Sequence, residues 1–328
     1  MLISRLLASG LIAAILSAAS SNGFAKRTGL IFASTERNNT VVVIDPKTNK
    51  IVKQLKTSRQ PRDMHFNDDH TKLYVACVGD NAIDVIDVAK LEVVGRLITG
   101  PNPEAFGLDD KRRRIYVSNR EESSLSVIDM DQNVIVLEVP IGAEPEGVLI
   151  SEDGRFIYVS SGFGDFIHLI DADIGSVVQN LVMGAQPRRF ALTPDGKELW
   201  ASTKYSGEVY IIDRAKFAVT GKIEFLPPGA GKTEVTPVDM LITRDGRTAY
   251  VTLGRAAQIA VVDIPTRKIQ GYIPVGKRSA GLAMTRDEKT LYVADGFDDH
   301  ITVIDLTGRK STVAIPIGRI PWAIAIDD

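Results

Sequence analysis

Ile115-Tyr116-Val117-Ser118-Asn119, a polar break, and then Leu125-Ser126-Val127-Ile128-Asp129 are the stretch from which the fold can be read. The first half places an aromatic among β-branched residues and the second alternates apolar with polar residues, each in the pattern of a half-buried strand, and the break between them is a tight reversal. The same phrase recurs along the chain. Its closing acids are Asp45, Asp87, Asp129, Asp171, Asp213, Asp263 and Asp305, spaced by 42 residues except for one step of 50 between Asp213 and Asp263. A period of about 40 to 45 residues built from short strands marks a β-propeller blade. Seven copies predict an all-β, seven-bladed propeller of four-stranded antiparallel blades.

A marker residue opens each unit: Pro61, Pro103, Pro145, Pro187, the delayed Pro237, Ser279 in place of proline, and Pro321. An apolar strand a follows, then a turn such as Asp153-Gly154, Asp195-Gly196 or Asp245-Gly246, whose Asp-Gly pair favours a tight connection. Strand b carries an aromatic and a β-branched residue, as in Leu73-Tyr74-Val75-Ala76 and Leu199-Trp200-Ala201-Ser202. Strand c ends on the repeated aspartate, and strand d lies outermost. The C-terminal segment from Ile320 supplies only a strand a, whereas the chain resumes its repeat at a strand b, Leu30-Ile31-Phe32-Ala33. Pairing the two in one sheet removes the edges an open ring would expose, so the closure is expected to hold the ring together.

The first 25 residues have another character. Arg5 precedes an apolar run from Leu6 to Ala19, and Gly23-Phe24-Ala25 supplies small residues where a signal peptidase cuts. The run is short of the roughly 20 residues that span a bilayer. The reading is a cleaved secretory signal over 1–25, a single propeller domain over 26–328, a periplasmic or secreted location, and no stable membrane span after cleavage. Cys77 is the only cysteine, which rules out an intramolecular disulfide and a Cys-x-x-Cys-His haem attachment. A formal net charge of -2 gives no electrostatic reason for a nucleic-acid partner.

Repetition acts as an internal control. The seven aspartates sit at equivalent turns, where an Asx turn explains them, and the strand-b aromatics are packing residues. Departures from the repeat are the better functional candidates. Residues just after the marker should ring the mouth of the central channel: Arg62 and Asp63, Glu104, Glu146, Arg188 and Arg189, Val238 and Asp239, Ala280 and Trp322. A mixed acidic and basic rim with one tryptophan suits a small polar ligand or a protein partner, although an ion-pair network around a water-filled channel would use the same residues. The longer step places an eight-residue insertion within Phe225–Glu234, where Pro227, Pro228, Lys232 and Glu234 form a candidate docking loop. Gly231-Lys232-Thr233 resembles the end of a phosphate-binding loop, but Leu226 stands where its first glycine belongs.

Among the histidines, repeat register puts His65 between blades, His70 in an exposed turn and His168 in a strand c. His300 follows Asp295, Asp298 and Asp299 in a loop that could grip a cation but lacks ordered ligand spacing. No metal, no resident cofactor and no catalytic group is predicted, since no serine, histidine and acid can be grouped on repetition alone.

The strand phrases, Ile115-Tyr116-Val117-Ser118-Asn119 with Ser126-Val127-Ile128-Asp129, resemble the YVTN family of propeller repeats, over nearly all the chain after residue 25. Seven such units behind a signal peptide look most like the periplasmic propeller proteins associated with PQQ-dependent alcohol catabolism. That resemblance implies an accessory role beside a quinoprotein dehydrogenase or a transport component, and it carries no site residues. The leading expectation is a non-enzymatic binding or scaffold protein. Two alternatives stay open: a lactonase-like hydrolase with a cation held by Asp63, Glu104, Glu146 and Asp239, and a propeller handling a quinone or haem d1.

Overall fold

The computed structural model describes residues 27–183 and 186–328, so the expected signal segment lies outside the described residues. Seven four-stranded sheets form the blades, and every strand pairing within them is antiparallel. The innermost strands are, from the closing blade round, Pro321–Ile326, Pro61–Phe66, Pro103–Asp109, Pro145–Ile150, Pro187–Leu192, Met240–Ile242 and Ser279–Met284. We number the blades 1 to 7 in that order. Each inner strand neighbours the next, and the seventh returns to the first. Only two short 3-10 turns, Val78–Asp80 and Lys232–Glu234, interrupt the strands, and among the described residues no helix is long and apolar enough to cross a membrane.

Alternation along a strand explains how the ring packs. In Ile31–Thr35, Ile31 and Ala33 face blade 7 and join Tyr292, Ile301 and Val303, whereas Phe32 faces blade 2 and joins Met64, Leu73 and Val75. A period of two therefore gives each sheet two apolar faces, one for each neighbour. Fully burying one such side chain stabilises by about 1.5–3 kcal/mol. Outer strands such as Lys50–Lys56 are exposed nearly throughout, consistent with their edge position.

The closure has the predicted form and an additional polar knot. Ile31, Phe32 and Ala33 pair with Ile326, Ala325 and Ile324. The Asp327 carboxylate, buried at the end of this strand, accepts from the Thr28 amide at 2.7 Å and its hydroxyl at 2.6 Å and lies 3.0 Å from His70 Nδ1. His70 is therefore not in a free turn. Its ring stacks on Phe66 at 4.5 Å and links blade 2 to the chain's end, because the a-b turn of that blade packs on the closing strand.

The seven repeated aspartates behave as turn acceptors. Each takes a backbone N–H from two or three residues ahead, for example Lys47 to Asp45 at 2.9 Å, Gln132 to Asp129 at 2.8 Å and Thr307 to Asp305 at 2.9 Å. Asp87, Asp171, Asp213 and Asp263 do the same.

Candidate functional site

Every inner strand that opens on its marker carries a β-bulge just after it, with one residue more than strand b opposes. Pro61 pairs with Cys77 and Met64 with Val75, and equivalent shifts follow Pro103, Pro145, Pro187 and Ser279. A bulge re-aims consecutive side chains. Arg62 consequently reaches the mouth while Asp63 sits one level down the channel. The same shift moves His65: its ring meets Phe106 of the next blade edge-on at 4.8 Å, yet 45% of the side chain opens to the channel. Register without the bulge assigns it to the interblade space alone.

Strand-b hydroxyls hold four rim residues in place. Ser34 donates to the Arg62 carbonyl at 2.7 Å, Ser160 to that of Arg188 at 2.6 Å, Ser202 to that of Val238 at 2.8 Å and Ser118 to that of Glu146 at 3.3 Å. Each bond runs from one blade to the next. The serine of the Tyr-Val-Ser phrase is thus an interblade latch that fixes the rim.

Two levels of charge result. At the mouth, Arg62 binds Glu36 at 3.2 Å and forms a tight pair with Glu104, while Arg188 binds Glu146 at 2.6 Å. Burial would raise the Glu146 carboxyl, but Arg188 and Arg120 hold it below the usual range. One level down, Arg189 of blade 5 reaches across to Asp63 of blade 2 at 3.3 Å, and Asp63 also takes the Phe106 amide at 3.2 Å and lies 3.1 Å from His65 Nε2. Burial pushes the Asp63 carboxyl up, yet Arg189 and His65 together hold it far below the ordinary carboxylate value; the Arg189 guanidinium is correspondingly raised. Asp239, without an ion pair of its own among the described residues, is pushed up by burial against the pull of Arg189. This bar crosses a channel cavity of about 270 Å³ whose walls include Met64, Val148, Phe190, Met240, Leu282 and Ile324.

Above the bar is a cavity of about 360 Å³ at the mouth. Predicted residues Arg62, Glu104, Glu146, Arg188, Val238, Ala280 and Trp322 line it, whereas Asp63, Arg189 and Asp239 belong to the level below. Sequence reasoning missed Arg120, Lys204, Arg255, Arg278, Ser279 and Phe297, which also line it. The signal existed. Residue 278 is the column immediately before the marker, and the others except Ser279 fall in b-c loops, which share this face. Trp322 is packed between two guanidiniums, Arg62 at 4.5 Å and Arg278 at 5.2 Å from its ring centre. The docking-loop residues Pro227, Pro228, Lys232 and Glu234 stay outside the cavity; Glu234 accepts the Gly231 amide at 2.9 Å and Lys232 meets Glu224 at 3.3 Å.

The loop with three acids does not converge on a cation site. Asp298 accepts the Lys277 amide at 2.7 Å, Asp299 the Ile320 amide at 2.9 Å, and Asp295 faces His300 at 3.1 Å. Among the described residues no group of three or more His, Cys, Asp or Glu has metal-holding geometry.

One hydroxyl-imidazole-amide trio has the outline of a nucleophile and its base. Ser161 Oγ lies 2.8 Å from His168 Nε2, and His168 Nδ1 lies 2.6 Å from Asn180. The Gly142 amide also donates to Nε2 at 3.0 Å, so that nitrogen already accepts, and Ser161 is fully buried. Burial lowers the imidazole's pKa. Blade 3 places Asn119, Ser126 and Glu138 at the equivalent positions with an equivalent chain of bonds. The trio is a blade-end polar plug that the repeat uses more than once.

The model of the YNCE-like beta-propeller family matches residues 12–197. No curated protein matches the chain. Among solved structures it is similar to Kuenenia stuttgartiensis hydrazine synthase, with a TM-score of 0.76, 19% identity, and coverage of 84% of this chain and 92% of that one. A Bacteroides uniformis protein assigned as a 6-phosphogluconolactonase gives 0.75 and 16% identity, covering 90% of this chain and 99% of that one. The dihydro-heme d1 dehydrogenase NirN, in complex with DHE, gives 0.69 and 15% identity, covering 90% and 75%. Likeness at these identities concerns the fold.

Proposed function

Because the chain belongs to the YNCE-like beta-propeller family, and its repeats are of the YVTN type, we propose that it is a non-enzymatic binding propeller exported from the cytoplasm. It would act as an accessory to PQQ-dependent alcohol catabolism, with its channel mouth as the binding face. One observation carries the binding reading: the mouth cavity is lined by six basic side chains against two acidic ones, in a chain whose formal net charge is -2. Such a wall recognises a ligand or partner by charge and supplies no proton-transfer pair. The association with alcohol catabolism is what the resemblance to the periplasmic propeller proteins of that process implies, and a quinoprotein dehydrogenase or transport component is the partner it suggests.

A lactonase-like hydrolase with a cation on Asp63, Glu104, Glu146 and Asp239 would need the first three to leave their arginines, since Asp239 by itself is one ligand. Nothing at the mouth favours that arrangement. Deleting the chain from its host and following growth on alcohol against growth on a sugar tests the proposal. Selective loss on alcohol, restored by the wild type but not by a Lys204→Glu, Arg255→Glu variant, is the expected result; undiminished growth on alcohol would overturn the accessory role.

A further inference from the structure

The basic side chains of the mouth are of two kinds. Arg62, Arg120 and Arg188 are each bonded to a glutamate. Lys204, Arg255 and Arg278 have no carboxylate within 4.0 Å among the described residues. Arg278 is the most constrained of these. Its guanidinium is flanked by the rings of Phe297 at 5.0 Å and Trp322 at 5.2 Å, which fix the plane but accept none of its five N–H groups. Burial lowers its pKa; the more distant Glu36 and Glu104 offset part of that, while Arg62 and Arg188 add repulsion. Holding an unpaired, partly desolvated cation beside two others costs stability, and such costs persist where a ligand offsets them.

A second observation points to the same space. Ser279 replaces the marker proline of blade 7, lines the cavity, is fully buried, and its hydroxyl has no hydrogen-bond partner among the described residues. Its amide, which proline would lack, donates to the Gly254 carbonyl at 3.2 Å, so the substitution has a backbone use. The hydroxyl has none. A buried unpaired hydroxyl is costly, and few survive in native proteins without a reason.

The geometry points to a binding site for a small organic polyanion, one that carries two or more carboxylate or phosphate groups, in the mouth cavity between blades 5 and 7. A volume of about 360 Å³ lies in the range of small-molecule sites, which is too little for a folded partner and ample for a compact di- or tri-acid. Two or more charges are needed because three cations stand uncompensated around the cavity, and a single anion would leave most of that repulsion in place. The inference rests on the reading of the mouth as a binding face and is independent of the link to alcohol catabolism.

Calorimetric titration of the full chain with citrate, pyrophosphate, acetate and hexaglutamate at matched ionic strength tests it. Citrate or pyrophosphate should bind at one site per chain, and whichever is tighter says whether carboxylate or phosphate is preferred; acetate should not saturate. An Arg255→Gln, Arg278→Gln variant should weaken that binding by about tenfold or more, the loss of charge-assisted bonds. Lys204→Gln alone, checked for its fold by circular dichroism, should weaken it severalfold, and Lys197→Gln on a remote exposed turn should leave it unchanged. No saturable heat from either small polyanion, equal binding by the charge variants, or tighter binding of hexaglutamate would overturn the inference. Failure here with alcohol growth still dependent on the chain leaves the accessory role standing, and the converse leaves the anion site standing.

Discussion

From blade 2 to blade 5 the mouth spends each arginine on a carboxylate: Arg62 on Glu104, Arg188 on Glu146, and Arg189, one level down, on Asp63. From blade 5 to blade 7 the same opening carries Lys204, Arg255 and Arg278 with none among the described residues. The clasp arginines Arg62 and Arg188 follow a marker residue inside an inner strand, whereas Lys204 and Arg255 stand in b-c loops and Arg278 stands just before a marker. The difference lies in which columns of the repeat hold acids. The first arc is a structural clasp that ties blades across the channel, and the second is charge left for something outside the chain.

Trp322 touches both arcs, through Arg62 on one side and Arg278 on the other. Ending the chain at Ile320 should therefore break the comparison altogether. It removes the inner strand of blade 1 and the Asp327 knot, and burial of Trp322, Ile324 and Ala325 at about 1.5–3 kcal/mol for each large side chain approaches the whole stability of a domain. Thermal unfolding by circular dichroism should lose its cooperative transition. An unchanged melt would mean the closure is not what holds the ring.

The next largest effect belongs to the clasp. Arg189→Met strands Asp63 as a buried charge and should cost about 3–5 kcal/mol in urea unfolding. The pH dependence has a definite sign. The folded-state pKa of Asp63 is depressed, so its contribution is complete above the unfolded value of about 3.9 and is lost as pH falls below it. Asp63→Asn should flatten that acid limb; a limb as steep as the wild type's would remove Asp63 from the clasp.

The smallest change in stability should come from the open arc. Arg278→Gln is expected within about 0.5 kcal/mol of the wild type, because no ion pair is lost and the relief of repulsion from Arg62 and Arg188 offsets the lost stacking on Trp322 and Phe297 and the lost attraction to Glu36 and Glu104. A loss as large as that of Arg189→Met would show that Arg278 is structural and erase the distinction between the arcs.

The contrast also marks how far the sequence could be read. Blade number, closure and the turn role of the seven aspartates follow from period and alternation, which are properties of the backbone that every copy repeats. The rim was legible in part, since Arg62, Glu146 and Trp322 follow the marker residue and do line the mouth. Asp63, Arg189 and His65 were placed less well because the bulge shifts the alternation by one, and nothing in Pro61-Arg62-Asp63 announces a bulge. Arg278, Arg255 and Lys204 escaped because their columns vary freely among the blades. Only the fold brings them to one opening, and only the absence of a neighbouring acid makes them stand out.

The most direct test of the two-arc account uses Trp322 as its reporter. With Trp200 changed to phenylalanine, Trp322 is the only tryptophan left, and its emission should respond to citrate in a saturable way that Arg278→Gln abolishes and acetate at equal ionic strength does not reproduce. Emission that ignores citrate, or that responds equally with Arg278→Gln, would contradict the claim that the open arc is a site for anions.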